Sequence, residues 1–317
     1  MNRKEVPRHS TLKVVYAAIL ANLGIAISKY IAGFVTGSPA MLAEAYHSTA
    51  DTGNELLLLL GLRRSTRTPD ALHPFGHGKA IYFYSLLVAV FIFGVGGALA
   101  AYQGISWIRH PEPPGNPVWN YVVLGIAVAF EFYSWRIARQ ELHENAAEEA
   151  TLWEKIRDSK DPATFTVFFE DSAALIGIGF AFFGVLLGHV FHNPYFDPAA
   201  SLLIALLLSA VALLLGRESG ALLLGESADP EQVKAIREVI CSDSAVERVG
   251  NLLTMHLGPE QVLLAAEIKF RDGLDVQELE SAIDRVEEKI RTKDPTIERI
   301  FLEADSLRPG REPVRAA

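Results

Sequence analysis

The sequence predicts an all-α domain of six transmembrane helices, followed by a small α+β domain of ferredoxin-like type. Three observations support this fold class. Apolar residues make up 50% of the 317 residues, and the mean hydropathy is +0.21. They concentrate before residue 225, in runs long enough to cross a bilayer core of about 30 Å. Residues 226–306 instead alternate amphipathic helical patterns with β-branched runs, which indicates a soluble domain.

Six apolar runs are predicted to span the membrane within a domain of residues 1–225. They are residues 12–34, 40–62, 80–103, 118–139, 164–190 and 198–224. The first follows a basic start and has no small-residue cleavage site, so we expect it to be retained rather than removed as a signal peptide.

Positive charges predict the orientation of the spans. Arg63, Arg64, Arg67 and Lys79 fall in a short loop on the same side as the basic N-terminal segment, and such loops face the cytoplasm. Six spans then place both termini in the cytoplasm. Compact loops and the lack of a transit peptide favour a bacterial inner membrane.

The soluble domain, residues 226–306, has the predicted order α-β-β-α-β, in which one sheet face is covered by helices. The predicted helices are residues 230–241 and 275–292, and the predicted strands are 246–256, 261–270 and 297–304. Ser227 or Asp229 is expected to cap the first helix, with Pro230 in its first turn. Residues 307–317 are rich in Pro and Arg and are predicted to be disordered.

Charge and cysteine content exclude some classes of function. The net charge of −9 argues against a nucleic-acid partner. The single cysteine, Cys241, excludes an intramolecular disulfide or a thiolate metal cluster. We expect Cys241 to be a small buried side chain of a helix.

Ionisable residues in the second predicted span are the main indication of function. Glu44, His47 and Asp51 are spaced by three and four residues, so they project from one helix face. Ionisable groups inside a bilayer are costly and normally face a cavity, a partner or an ion path. A histidine with carboxylates is also a ligand set for divalent metals.

The fifth predicted span contains an acidic pair, Glu170 and Asp171. His47, Asp51 and Asp171 would supply three metal ligands, and Glu170, Glu44 or water could complete a tetrahedron. The alternative is that these groups only pair with one another, or with Lys29 of the first span, to hold the helices together.

A second histidine pair lies in the loop before the third span. His73 and His77 in the segment HPFGHGK at 73–79 are four residues apart across a turn and could chelate a metal at the cytoplasmic side.

These motifs resemble those of the cation diffusion facilitators, a family of exporters of zinc and related divalent metals. The stretch from Glu44 to Asp51 is similar to the family's HxxxD motif, HPFGHGK resembles its HPxGHxK loop, and Phe196–Ala200 resembles the start of its sixth helix. The resemblance implies a homodimer in the lipid bilayer, and not an enzyme, that exports a divalent cation from the cytoplasm in exchange for protons by alternating access. Zinc is the expected substrate.

The sequence also departs from that pattern. The family usually carries a second HxxxD in the fifth helix, but Val167 occupies the histidine position and only Asp171 remains. In this respect the chain is similar to the branch of the family related to zinc transporter nine. The adjacent Glu170 could replace the missing histidine. Because the set is rich in oxygen, Mn²⁺, Fe²⁺ and Co²⁺ stay open as substrates. A metal-sensing membrane scaffold and an intramembrane metalloenzyme are the alternative functions.

Overall fold

The computed structural model describes residues 8–111, 117–144 and 162–304. The chain divides into two compact units. The first comprises Met1–Arg63 and Ile81–Gly220, and the second comprises Arg64–Ala80 and Ala221–Ala317. The segment 307–317, predicted to be disordered, lies outside the described residues.

Long helices form the first unit. They are α1 (Arg8–Thr36), α2 (Pro39–Ser65), α3 (Ala80–Arg109), α4 (Val118–Glu144), α5 (Pro162–Phe191) and α6 (Phe196–Leu224). Within the described chain, four of them, α3 to α6, contain stretches long and apolar enough to cross a membrane. Large apolar side chains such as Phe34, Tyr102 and Leu213 are exposed on the outer surface of this unit, as expected for helices that face lipid. The first two predicted spans correspond to α1 and α2, and the count of six spans stays a prediction.

The start of α2 is held by two caps, which fix the helix that carries most of the candidate ligands. Gly37 has φ of +65°, a left-handed conformation that ends α1 and favours glycine. Ser38 Oγ then accepts the backbone N–H of Met41 at 3.2 Å, and a proline at the first helical position suits the local geometry. Asp197 at the start of α6 also accepts the N–H of Ala40, at 3.0 Å.

Helix α3 contains a π-helical segment, Ile92–Ala98, between two α-helical parts. This segment includes Gly97, where a Cβ atom would lie 2.6 Å from Ser209 Oγ of α6. A larger residue would therefore push α3 and α6 apart. Small residues at this position allow the two helices to approach closely.

The second unit contains a three-stranded sheet with helices on one face. Its elements are α7 (Pro230–Cys241), β1 (Val246–Gly258), β2 (Gln261–Phe270), α8 (Val276–Lys293) and β3 (Ile297–Ala304). The strand order is β1-β2-β3, with β1 antiparallel and β3 parallel to β2. The predicted α-β-β-α-β order is confirmed.

Alternation along β2 separates the two faces of this sheet. Val262, Leu264 and Ile268 are buried with Ile236 of α7 and Val286 of α8 in one apolar core, while the intervening residues of β2 are half-buried. The core therefore lies on the side of the sheet that the helices cover.

The ends of the soluble helices are held by carboxylates. Asp229, one of the two predicted caps, accepts the N–H of Glu231 at 2.8 Å, and Pro230 follows it directly. Asp243, in the turn after α7, bonds Arg285 Nη2 at 3.2 Å and Lys289 Nζ at 3.0 Å. The Arg285 guanidinium holds the pKa of Asp243 well below its usual range, so this contact persists at neutral pH.

The prediction that Cys241 is buried is wrong. Cys241 is the last residue of α7 and is exposed, while the preceding Ile240 is fully buried. Successive helical residues diverge by about 100°, so the residue after a core position turns outward.

Candidate metal centres

Lys29 of α1 and Glu44 of α2 form an ion pair that is completely shielded from solvent. Lys29 Nζ lies 2.9 Å from Glu44 Oε2 and donates to Ser48 Oγ at 2.8 Å. Neither charged side chain has any exposed surface, and an unpaired charge would be very costly in such an environment. Glu44, predicted as an optional metal ligand, is therefore engaged by Lys29. This contact is the pairing with Lys29 that the sequence offered as an alternative to metal binding.

His47 and Asp51 lie next to each other on the predicted face of α2. His47 Nδ1 is 3.3 Å from Asp51 Oδ1, and neither ring nitrogen of His47 makes a hydrogen bond to the described chain. The His47 side chain is 2% exposed. Buried polar atoms without partners are costly, so both groups are suited to bind a cation or protons.

The two acidic residues of α5 each accept a hydrogen bond from another helix. Glu170 Oε1 accepts from Asn54 Nδ2 of α2 at 2.6 Å. Asp171 Oδ2 accepts from Ser134 Oγ of α4 at 2.7 Å. Glu170 is buried, and Asp171 is partly buried. Adjacent residues on a helix point in different directions, which is why the two carboxylates reach different neighbours.

The four predicted central ligands occupy one region of the first unit without forming a closed ligand set. Asp51 lies three residues before Asn54, the residue of α2 that donates to Glu170 Oε1 at 2.6 Å. Within the described chain, however, no three of the four bring their ligand atoms within 4.8 Å of one another. Carboxylates that repel one another would approach further only with a cation or protons between them.

The loop before α3 contains a tighter cluster. Among the side chains that the structure describes, Asp70, His73 and His77 are the one group of three metal-binding residues with ligand atoms within 4.8 Å of one another. Asp70 Oδ1 lies 3.2 Å from His73 Nδ1, and Asp70 Oδ2 lies 3.5 Å from His77 Nε2. The three side chains could hold a divalent cation.

Asp70 is the member of this cluster that sequence reasoning missed. It accepts the backbone N–H groups of His73 at 2.7 Å and Leu72 at 2.9 Å. The bond from His73 N–H lowers the pKa of Asp70, so the carboxylate is readily ionised. The spacing of three residues from Asp70 to His73 and four more to His77 was the available signal.

A helical unit with apolar stretches and a buried set of imidazole and carboxylate groups is typical of membrane proteins that bind cations. The family comparison gives the same class. The chain belongs to the cation efflux family: residues 15–224 match the cation efflux transmembrane domain, and residues 228–306 match the cytoplasmic domain of cation efflux proteins. The predicted resemblance is confirmed, and the protein belongs to a class of transporters rather than enzymes.

Relatives with curated names include transporters of different metals. The chain is 34% identical over 283 residues to "Proton-coupled zinc antiporter SLC30A9, mitochondrial" of Mus musculus, which covers 87% of this chain and 50% of the relative. It is 30% identical over 278 residues to "Metal tolerance protein C4" of Arabidopsis thaliana, and the match covers 87% of this chain and 61% of that relative. It is 26% identical over 285 residues to "Manganese efflux system protein MneP" of Bacillus subtilis, and the match covers 86% of this chain and 91% of that relative. The chain thus spans about half the length of its zinc antiporter relatives.

The buried ion pair generates a test of stability. Lys29→Met removes the partner of a completely buried Glu44, and we expect the unfolding free energy to fall by about 3–5 kcal/mol. In the double variant Lys29→Met/Glu44→Gln no charge is left unpaired, so most of that loss should be recovered. Thermal unfolding of the protein purified in detergent measures both.

A matched control is Lys269→Met, which breaks a partly exposed pair with Glu247 and should change stability by less than about 1 kcal/mol. Equal losses in the single and double variants would contradict the assignment of a charge pair.

Proposed function

We propose that this protein exports a divalent cation from the cytoplasm in exchange for protons. The observation that supports this most directly is the buried His47–Asp51 pair of α2, on the helix face from which Asn54 donates to Glu170 of α5. Four groups that can bind either a cation or protons sit inside a helical unit of a cation efflux protein. The name of the mouse relative describes proton-coupled zinc antiport, which agrees with this proposal.

The central site uses His47, Asp51, Asp171 and Glu170 as ligands. Glu170 stands in for the histidine that the resemblance places at Val167. Glu44 remains with Lys29 and is left out of the set. A bound cation keeps the imidazole neutral and the carboxylates ionised, and protons take its place when it leaves. Alternating access follows when one group of helices rocks around the site.

Zinc is the preferred substrate, because a four-ligand set with a histidine suits it. A set with one nitrogen and three carboxylates is also suited to harder ions. Mn²⁺, Fe²⁺ and Co²⁺ therefore stay in the proposal as alternatives, and the name of the Bacillus subtilis relative describes manganese efflux.

The loop cluster serves as a second cation site. His73 and His77, together with Asp70, would collect the cation on the cytoplasmic side before transport. The partial exposure of all three side chains supports a site that exchanges its ion with solvent.

The finer features of the fold belong to the same proposal. We retain six spans, both termini in the cytoplasm, a membrane domain to residue 225, and a ferredoxin-like cytoplasmic domain at 226–306. The mitochondrial names of the zinc antiporter relatives give no support to the expected bacterial inner membrane, and we do not propose one.

The cytoplasmic domain would join two copies of the chain. No helix of the described residues covers one face of its sheet, and Leu253, Ala265 and Phe301 are cross-strand neighbours on that face. Leu253 is 56% exposed and Phe301 is 54% exposed. A row of exposed apolar side chains indicates an interaction surface, and a second copy of the chain is the occupant that the family's dimerisation domain favours.

Transport is tested in proteoliposomes with an acidic interior, a metal-sensitive dye inside and Zn²⁺ outside. We expect His47→Ala and Asp51→Ala each to reduce uptake to the leak rate of protein-free liposomes, because each removes a ligand that also takes up protons. Repeating the assay with Mn²⁺, Fe²⁺ and Co²⁺ ranks the substrates.

Thr52→Val is the matched control, since within the described chain the Thr52 hydroxyl bonds only the backbone of its own helix. Transport that is unchanged in both ligand variants would reject the site. Metal binding without pH-linked flux would favour a sensing scaffold instead.

The loop site is tested in a His47→Ala/Asp51→Ala background, so that the central site does not contribute. Asp70→Ala should weaken Zn²⁺ binding by at least about tenfold, since even partners outside the ligand shell cost 10–100-fold. Isothermal titration calorimetry measures the affinity. The control is Asp272→Ala, an equal charge change at an exposed position of the same unit, and equal affinity in both variants would contradict the loop site.

Dimer formation is tested by Phe301→Glu, which places a charge on the uncovered sheet face. Loss of a central apolar contact should cost about 2 kcal/mol, a weakening of the dimer by about 30-fold. Mass photometry over a dilution series measures this. Val276→Glu, an exposed apolar position on α8, should leave the dimer intact, and a dimer unaffected by Phe301→Glu would contradict this surface.

A further inference from the structure

Two hydrogen bonds in the first unit join candidate ligands to side chains that the proposed function leaves unassigned. Asn54 Nδ2 donates to Glu170 Oε1 at 2.6 Å, and Ser134 Oγ donates to Asp171 Oδ2 at 2.7 Å. The donors lie on different helices, α2 and α4 respectively, while both acceptors lie on α5. Both carboxylates of α5 are thus held from outside their own helix.

The placement of Asn54 is unusual for a residue that only fills space. It follows Asp51 by three residues, so it continues the face of α2 that carries His47 and Asp51. Its side chain is fully buried, and its Oδ1 atom makes no hydrogen bond to the described chain. A buried amide with an unsatisfied oxygen is costly, so holding Glu170 in place accounts for Asn54 better than packing alone.

The oxygens that these donors occupy decide what they can do. Each carboxylate uses one oxygen for its donor, and no hydrogen bond joins its second oxygen to another described side chain. A carboxylate fixed through one oxygen keeps the other oxygen for a cation. Partners of this kind set the rotamer and the basicity of metal ligands, and their removal costs 10–100-fold in metal affinity.

We propose that Asn54 and Ser134 are positioning residues for the transported cation, which orient Glu170 and Asp171 through hydrogen bonds and do not bind the metal themselves. This inference rests on the proposed central site. In the structure both bonds are already formed, so the carboxylates of α5 are preorganised, and the cation has to draw in only His47 and Asp51.

The adjacent contact between the same two helices provides a control. Trp135 Nε1 donates to Ser172 Oγ at 3.0 Å, one position beyond the Ser134–Asp171 bond on each helix. This bond joins α4 to α5 equally well but touches no candidate ligand. Trp135→Phe therefore removes a hydrogen bond between the same helices and leaves the carboxylates as they are.

The test is Zn²⁺ titration by calorimetry of the full-length protein, with His73→Ala and His77→Ala present so that the loop cluster does not contribute. We expect Asn54→Leu and Ser134→Ala each to weaken binding by about 10–100-fold. Ser134→Thr keeps the hydroxyl donor and should keep the affinity, as should Trp135→Phe. The thermal stability of each metal-free variant is measured alongside.

Four results would overturn the inference. The first is a Zn²⁺ affinity that is unchanged or higher in Asn54→Leu and Ser134→Ala. The second is an equal loss of affinity in Trp135→Phe. The third is a Ser134→Thr variant that binds Zn²⁺ as weakly as Ser134→Ala. The fourth is wild-type binding by Asp51→Ala, which would reject the central site itself. If Asp51→Ala abolishes binding while Ser134→Ala does not weaken it, only the positioning role fails. The Ser134 series decides the question even where Asn54→Leu does not fold, because Ser134 is only half-buried.

Discussion

The cost of burying carboxylates away from water governs the arrangement of the helical unit. Several acidic side chains occupy it, and most of them have a dedicated partner. Lys29 neutralises Glu44, Asn22 donates to Glu55 at 2.8 Å, and Asn54 and Ser134 hold the carboxylates of α5. His47 and Asp51 face each other, and no side chain of the described residues donates to them in this way. The region therefore retains a deficit of positive charge where the metal motif lies, and a divalent ion or protons would satisfy it.

Some helices of this unit carry the candidate ligands, and others pack closely through small side chains. Candidate ligands and their partners come from α1, α2, α4 and α5, and the contacts of Glu44, Glu170 and Asp171 each join two of these helices. The close approach of α3 and α6 at Gly97 and Ser209 involves small side chains instead.

Sequence reasoning succeeded where the relevant information is local. The elements of the soluble unit follow from strong periodicity and from caps such as Asp229, and the HxxxD spacing alone places His47 beside Asp51 on α2. The contacts of Asn54 with Glu170 and of Ser134 with Asp171 could not be predicted in this way. They depend on which helices are neighbours and on how each is rotated, and neither property is encoded in a short segment.

The difference between local sequence patterns and the folded arrangement also explains the wrong prediction for Cys241 and the omission of Asp70. Cys241 was expected to be buried because free cysteines usually are, but it lies one residue beyond Ile240 on α7 and so turns outward. Asp70 was missed because the loop was interpreted from its two histidines alone, whereas the folded backbone also brings the Asp70 carboxylate to them.

The π-helical segment of α3 affects how that helix is read from its sequence. Each residue of a π-helix turns the chain through a smaller angle than a residue of an α-helix does, since its hydrogen bonds span five residues rather than four. The seven π-helical residues are Ile92–Ala98. Because of them, the side chains in the second half of α3 are rotated about the helix axis by less than a continuous α-helix would give. A helical wheel drawn with a single period through Ala80–Arg109 would therefore assign the wrong side chains of Leu99–Arg109 to lipid and to neighbouring helices.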